Sequence, residues 1–243
     1  MTTGAPRAVE DRRDPRPRLP AHAVLAVAGR DDLPFAPLHG VPLYLHALRS
    51  LVAASPEGVS VVVGAEHEHR VRDELTVAGL STPVLASATW WAETGPKLTG
   101  SLLVHDPLCP LTSTEFLAEV RRAGHHKPGV SLAAFRPVTD TVKTVVDERI
   151  HGTIDREGLA ALIAPVLIAA PILRAAVASA DEPPLDHFGE LLSWLRSRGP
   201  VELVKGPSLA RRVDDASAVN LLECVDEVGR SVHTGPGGGR PAG

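Results

Sequence analysis

The chain has 243 residues, of which 44% are hydrophobic and 22% charged, with a net charge of −4 and a pI of about 6.3. This size predicts one medium α/β domain with a sizeable core, or at most two small domains. The charge balance argues against a general nucleic-acid binder, since phosphate backbones require a concentrated basic face. The two cysteines, Cys109 and Cys224, are far apart in sequence, which favours a reducing cytoplasm over a disulfide scaffold.

Both ends of the chain differ in composition from its middle. Residues 1–20 are rich in proline and charge, and residues 229–243 are rich in glycine. Neither segment can bury enough apolar surface to offset chain entropy, so both are predicted to be disordered tails. No apolar run approaches the roughly 20 residues that span a bilayer, so no membrane partner is expected. Residues 21–228 are left as a single domain.

Between the tails, apolar runs that end at turn residues alternate with helical patterns. Strands are predicted at 21–29, 58–64, 82–87, 101–106, 129–135 and 201–206. Helices are predicted at 42–54, 66–79, 171–180, 186–199 and 215–228. Thr112 and Glu115 have the spacing of a capping box before a further helix at 116–124. The β-branched segment at about 137–157 contains a glycine turn and predicts a protruding arm or hairpin.

Strands that alternate with helices predict an α/β fold with a doubly wound, mostly parallel sheet covered on both faces. Ligands of such sheets bind beyond the carboxyl ends of the strands. Asp106 stands at one of these ends, directly after the buried run of residues 102–104. Two interpretations remain open for it. Either Asp106 orders the turn before the next helix, or it faces an open cleft as part of a ligand site.

Five segments, taken together and in order, resemble one family. They are "AVLAVAGR" with the following "FAPLHGVPLYLHALRSL", then "VHDPLCPLT", "PVTDTVK", "TIDREGL" and "ARRVDDASAV". This series is similar to the signatures of the 2-C-methyl-D-erythritol 4-phosphate cytidylyltransferases, over roughly residues 22–227. The resemblance implies a nucleotide-diphospho-sugar transferase-like fold with an arm that forms a homodimer. It also implies transfer of a cytidylyl group from CTP to a sugar-alcohol phosphate, assisted by Mg²⁺.

The resemblance also implies roles for individual residues. Asp106 corresponds to the carboxylate near metal and substrate, and Arg212 stands where the family has a catalytic lysine. The arm residues Thr141 and Arg156 correspond to substrate-phosphate contacts made across the dimer interface. The nucleotide-binding loop corresponds to residues 28–30, namely Ala28, Gly29 and Arg30.

The departures from the family lie on the nucleotide side. The glycine-rich loop is shortened, and Asp31 and Asp32 add negative charge where phosphates should bind. Trp90 and Trp91 replace the base-recognition segment; they could stack on a base or form core or dimer contacts, and the core interpretation is favoured. Cys109 replaces an arginine; it could be a reactive thiol at the mouth of a site, and a small apolar filler is favoured. Two hypotheses follow: a cytidylyltransferase with weakened activity and weak CTP binding, or a catalytically inactive homologue that acts as a binding or regulatory partner.

Overall fold

The computed structural model describes residues 22–55 and 58–233. The strands are β1 (His22–Ala26), β2 (Pro37–Leu38), β3 (Val41–Pro42), β4 (Val59–Val63), β5 (Val84–Ala86), β6 (Leu102–His105), β7 (Ser131–Pro137), β8 (Val142–Val146), β9 (Arg149–Ile154), β10 (Ala160–Ile168) and β11 (Val201–Lys205). The α-helices are α1 (Leu43–Ala54), α2 (Glu68–Val77), α3 (Trp90–Thr94), α4 (Thr114–His126), α5 (Ala170–Ala178), α6 (Phe188–Arg196) and α7 (Ala216–His233).

A seven-stranded sheet forms the centre of the domain, in the order β11-β7-β10-β6-β1-β4-β5. Neighbouring strands are parallel except at β10, which runs antiparallel to both β6 and β7. The predicted doubly wound, mostly parallel α/β sheet is confirmed. Strand β7 leads into the arm, and β10 follows the arm and returns beside β7. For this reason β10 is antiparallel to its neighbours.

The central strands are buried on both faces, because helices cover the sheet on each side. Consecutive residues of β1 and β6 are buried whichever way their side chains point. This burial explains why these strands appear in the sequence as continuous apolar runs without alternation. Both strands end at one edge of the sheet, and the segments that follow them carry the candidate site.

The start of α4 corrects one prediction. Its N-cap is Ser113, whose hydroxyl accepts a hydrogen bond from the Phe116 backbone N–H at 3.2 Å. Thr112 is buried and donates its hydroxyl hydrogen to the Cys109 carbonyl at 3.0 Å. The predicted capping box from Thr112 to Glu115 is therefore wrong by one residue, because Thr112 belongs to the preceding turn.

The arm is a two-stranded antiparallel hairpin formed by β8 and β9. Asp147 and Glu148 connect the strands with positive φ angles of 47° and 61°. The predicted glycine turn is wrong, because Gly152 lies inside β9, where it pairs with Thr144. Residues 143–158 are exposed in the single chain, which confirms the predicted protrusion. The hairpin carries exposed apolar side chains, among them Val145 and Ile150.

The predicted limit at the carboxyl end is placed too early. Helix α7 continues to His233, past the predicted start of the carboxyl-terminal tail at 229. The rest of that tail and the predicted tail at 1–20 lie outside the described residues. None of the helices in the described ranges is both long and apolar enough to cross a bilayer.

Candidate active site

Asp106 lies between two arginine side chains at the carboxyl end of β6. The Arg30 Nε donates to one carboxylate oxygen at 2.7 Å, and the Arg212 Nε donates to the other at 3.1 Å. The chain thus brings together residues from the loop after β1, the end of β6 and the segment before α7. Asp106 itself is only 1% exposed. Its negative charge is therefore balanced inside the protein by two guanidinium groups.

Asp106 makes the contacts that each of the two interpretations requires. The Leu108 backbone N–H donates to the Asp106 carboxylate at 3.0 Å, which orders the turn after β6. The same carboxylate also pairs with Arg212, as the ligand-site interpretation requires. The expectation that it faces an open cleft is wrong, because Arg30 covers it.

Arg30 points into the protein. Besides Asp106, its guanidinium donates to the Ala28 carbonyl at 2.6 Å and to the Leu185 carbonyl at 3.0 Å. The side chain is 2% exposed and lies 5.6 Å from the centre of the Phe188 ring. These contacts fix the position of the guanidinium. In this arrangement its charge neutralises Asp106 and is not presented to a triphosphate.

Arg212 is the more accessible cation of the pair. Its side chain is 36% exposed and also pairs with Asp214. Burial acts to lower the pKa of Arg212, but the Asp106 and Asp214 carboxylates together raise it above its ordinary value. A permanent positive charge therefore lies at the edge of the sheet, beside the buried carboxylate.

A metal ion does not fit at Asp106 in this arrangement. Both oxygens of the carboxylate already accept hydrogen bonds, and solvent hardly reaches the side chain. Mg²⁺ prefers a nearly ideal octahedron of oxygen ligands that includes several waters. Within residues 22–55 and 58–233, no three histidine, cysteine, aspartate or glutamate side chains are grouped to hold a metal.

A pocket of about 360 Å³ opens beside this cluster, beyond the ends of β1, β4 and β5. One wall consists of small residues that follow β1 and β5, namely Ala28, Gly29, Ser87 and Ala88. Trp90 and residues 182–186 also line the pocket. The location matches the place where parallel α/β sheets bind ligands, and the volume is typical of small-molecule sites.

The charge in this pocket is negative. Glu182 and Asp186 are among its lining residues, and no lysine or arginine is. Burial raises the pKa of Glu182, as does the nearby Asp186, and the Trp90 side chain acts in the opposite direction. Asp31 and Asp32 are exposed on the loop that follows the pocket wall. A triphosphate therefore meets carboxylates on this side of the sheet.

The loop after β1 and residues 182–186 pack tightly together. Gly29 has a φ of 73°, and a Cβ atom at this position would lie 2.5 Å from the Asp186 Cβ. Only glycine fits both this backbone conformation and this close approach. The loop to which the resemblance assigns nucleotide binding is thus packed against another segment of the chain.

The arm residues predicted to bind substrate lie elsewhere. Thr141 and Arg156 are both exposed at the base of the arm. Arg156 donates to the Thr139 carbonyl. Within the described residues, no hydrogen bond or ion pair joins either of them to Asp106 or Arg212. Their predicted contact across a dimer interface stays a prediction.

The sequence interpretation missed residues 182–186 as part of the site. The only signal in "DEPPLD" is a rigid Pro-Pro pair flanked by carboxylates. The interpretation of Trp90 and Trp91 as core residues is confirmed, although Trp90 also lines the pocket. Cys109 is fully buried, and burial raises the pKa of its thiol, as expected for a small filler.

Solved structures define the class of fold. The 4-diphosphocytidyl-2C-methyl-D-erythritol synthase of Anaerococcus prevotii matches with a TM-score of 0.64 and 14% identity, over 85% of this chain and 98% of that one. The 2-C-methyl-D-erythritol 4-phosphate cytidylyltransferase of Thermus thermophilus matches with a TM-score of 0.63 and 24% identity, over 84% and 98%. The chain has the α/β fold of these nucleotidyltransferases.

Sequence comparison shows the family. The family model "IspD: 2-C-methyl-D-erythritol 4-phosphate cytidylyltransferase" matches residues 33–224, and the chain belongs to this family. The cytidylyltransferase of Bordetella petrii is 33% identical over 176 residues, which are 67% of this chain and 76% of the relative. The bifunctional enzyme IspD/IspF of Nitratidesulfovibrio vulgaris is 31% identical over 163 residues, but the match spans only 39% of that relative's length.

Proposed function

We propose that this chain is a cytoplasmic cytidylyltransferase that transfers a cytidylyl group from CTP to 2-C-methyl-D-erythritol 4-phosphate at a strongly reduced rate. The observation that carries the proposal is the Asp106–Arg212 pair beside a pocket of about 360 Å³ at the carboxyl edge of the sheet. The pocket supplies room for a nucleoside. The partly exposed Arg212 supplies a fixed cation for a phosphate group.

Transfer at phosphorus depends on positioning and on cations that stabilise the developing charge. Arg212 meets this requirement, but Arg30 is held by Asp106 and by two backbone carbonyls. Loss of one such stabiliser costs about 10²–10³ in rate. The shortened loop supplies no other cation that could replace Arg30. The proposal is therefore a slow enzyme.

Mg²⁺ enters the proposal with the nucleotide. Mg²⁺ bound to the triphosphate would supply charge neutralisation near Asp31 and Asp32. Asp106 is not assigned to the metal, because both of its oxygens are engaged. The residues of the chain bind and orient the phosphate groups of CTP and of 2-C-methyl-D-erythritol 4-phosphate. Mg²⁺ would supply charge neutralisation when bound.

The assay compares this chain with the Bordetella petrii relative under identical conditions. CTP, 2-C-methyl-D-erythritol 4-phosphate and Mg²⁺ are supplied, and the cytidylylated product is measured by mass spectrometry. We expect product formation at a rate at least about 10²-fold lower than that of the relative. Arg212→Met is expected to abolish it, whereas Arg211→Met, which removes the neighbouring cation, preserves it.

A rate equal to that of the relative contradicts the proposed reduction in transfer rate.

The second candidate function, an inactive binding or regulatory partner, is favoured by the internal contacts of Arg30 and by the packing of Gly29 on Asp186. It predicts no product at any enzyme concentration, together with no effect of Arg212→Met. Retained association with an intact relative would support it.

The exposed arm supports a homodimer as part of the same proposal. Val145, Val146, Ile150 and Ile154 are exposed apolar residues on one small hairpin. An isolated two-stranded hairpin is marginally stable in water and gains stability when its apolar side chains are covered. A second copy of the chain provides an identical hairpin that can cover them.

We expect sedimentation at micromolar concentration to show a dimer. Ile150→Glu places a charge on a side chain that is 70% exposed in the single chain, and it is expected to give a folded monomer. Val77→Glu is the matched control, because Val77 is 90% exposed on α2, outside the arm. A wild-type monomer, or a dimer that survives Ile150→Glu, contradicts the role of the arm.

A further inference from the structure

We propose that Glu182 determines which base this chain accepts, by receiving a hydrogen bond from the exocyclic amino group of cytosine. The inference rests on the proposed function and assigns base recognition to a segment that the sequence motifs do not include. It arises from the wall of the pocket formed by residues 182–186. The segment that the resemblance assigns to the base, by contrast, contributes the buried Trp90.

One aromatic residue and several small ones line the pocket. Trp90, which is 2% exposed, lines it together with Ala28, Gly29 and Ala88. Aromatic side chains form stacking surfaces for any base, so this part of the pocket holds a base without selecting one. Selection must come from the polar groups around the edge.

Those polar groups are mainly acceptors. Glu182 and Asp186 contribute carboxylates, and lysine and arginine are missing from the residues that line the pocket. Cytosine presents an amino group that donates hydrogen bonds, and carboxylates accept from this group in protein–nucleic acid complexes. Uracil presents a carbonyl oxygen at the same position. This oxygen and the carboxylate are both acceptors, so no hydrogen bond forms between them.

Glu182 is the better placed of the two carboxylates. Asp186 packs its Cβ against Gly29 and forms the junction with the loop after β1. Glu182 lies at the other end of the segment. Burial raises the pKa of its carboxyl group, and a hydrogen bond with the Trp90 side chain acts in the opposite direction. Pro183 and Pro184 follow it directly and restrict the backbone that positions its carboxylate.

The test uses cytidine and uridine, which carry no phosphates, so that repulsion of a triphosphate does not obscure base recognition. Isothermal titration of the full chain at pH 7.5 is expected to show cytidine binding at least about tenfold more tightly than uridine, the effect of one hydrogen-bonded pair. Glu182→Gln replaces the carboxylate with a group that both donates and accepts, and should bring the two affinities to within about twofold. Glu93→Gln, an exposed carboxylate on α3, is the matched control and should keep the preference.

Equal affinity of the wild type for both nucleosides overturns the proposal, as does a preference that survives Glu182→Gln. Loss of the preference in Asp186→Asn with no change in Glu182→Gln overturns the choice of residue. No binding of either nucleoside at millimolar concentration overturns the pocket as a base site. These outcomes are separate from the transferase assay, since an enzyme that forms product equally from CTP and UTP keeps the proposed function and refutes the role of Glu182.

Discussion

Replacement of Asp106 by Asn should lower the free energy of unfolding by about 3–5 kcal/mol, the usual cost of removing one partner from a buried ion pair. The Arg30 side chain is 2% exposed and has Asp106 as its charged partner. Without the carboxylate, a guanidinium charge stays buried without compensation, and the turn at Leu108 accommodates a weaker acceptor. Urea denaturation followed by circular dichroism measures the change.

Asp214→Asn is the matched control for this experiment. Asp214 also pairs with Arg212, but its side chain is 73% exposed. Exposed pairs contribute about 0–1 kcal/mol, so this variant should unfold close to the wild type. If Asp106→Asn were as stable as Asp214→Asn, the carboxylate would not be holding the buried arginine, and its neighbourhood would have to be open to solvent.

Acidification should destabilise the protein through His105. This side chain is fully buried, neither ring nitrogen has a hydrogen-bond partner among the described residues, and burial lowers its pKa from the ordinary 6.5 to about 4. The neighbouring Asp106 raises this pKa and Arg30 lowers it, both less than burial. Between pH 6.5 and 4 the unfolded chain binds a proton that the folded chain does not. Stability therefore falls as the pH falls through this window.

The magnitude follows from the shift. From pH 8 to pH 5, His105 contributes a loss of about 2 kcal/mol, because one pKa unit corresponds to about 1.4 kcal/mol. His105→Leu removes the titrating group and no hydrogen bond. From pH 8 to pH 5, the unfolding free energy of this variant should therefore fall by about 2 kcal/mol less than that of the wild type. Urea titrations at the two pH values measure the difference. Identical pH profiles for the two proteins would show that His105 takes up its proton equally well in the folded state.

The strands of the sheet could be predicted because each one is determined by the apolar residues of its own segment. The runs that became β1, β4 and β6 are apolar without alternation, which is the pattern of strands buried on both faces. The arm could be predicted for a similar reason, because β-branched residues interrupt an otherwise alternating chain. Its turn could not, since Gly152 lies inside β9 and Asp147 and Glu148 join the strands instead. The direction of β10 could not, because it depends on the return of the chain from the arm beside β7.

The position of Asp106 at a strand end also follows from the sequence, but its surroundings do not. Arg30 is separated from Asp106 by 76 positions and from Leu185 by 155. Nothing in the spacing of residues 28–32 indicates that the arginine turns inward. The outcome is set by the buried carboxylate, which requires a cation more strongly than the exposed loop does.

The contact of Gly29 with Asp186 has a consequence for engineering. A longer glycine-rich loop grafted from a relative would begin at a position where even one added methyl group meets the opposite wall at 2.5 Å. The graft would also have to release the Leu185 carbonyl from Arg30. Exchange of this one segment would therefore disturb its packing against residues 182–186. Residues 28–32 and 182–186 behave as a matched pair, and a chimaera must inherit both from the same parent.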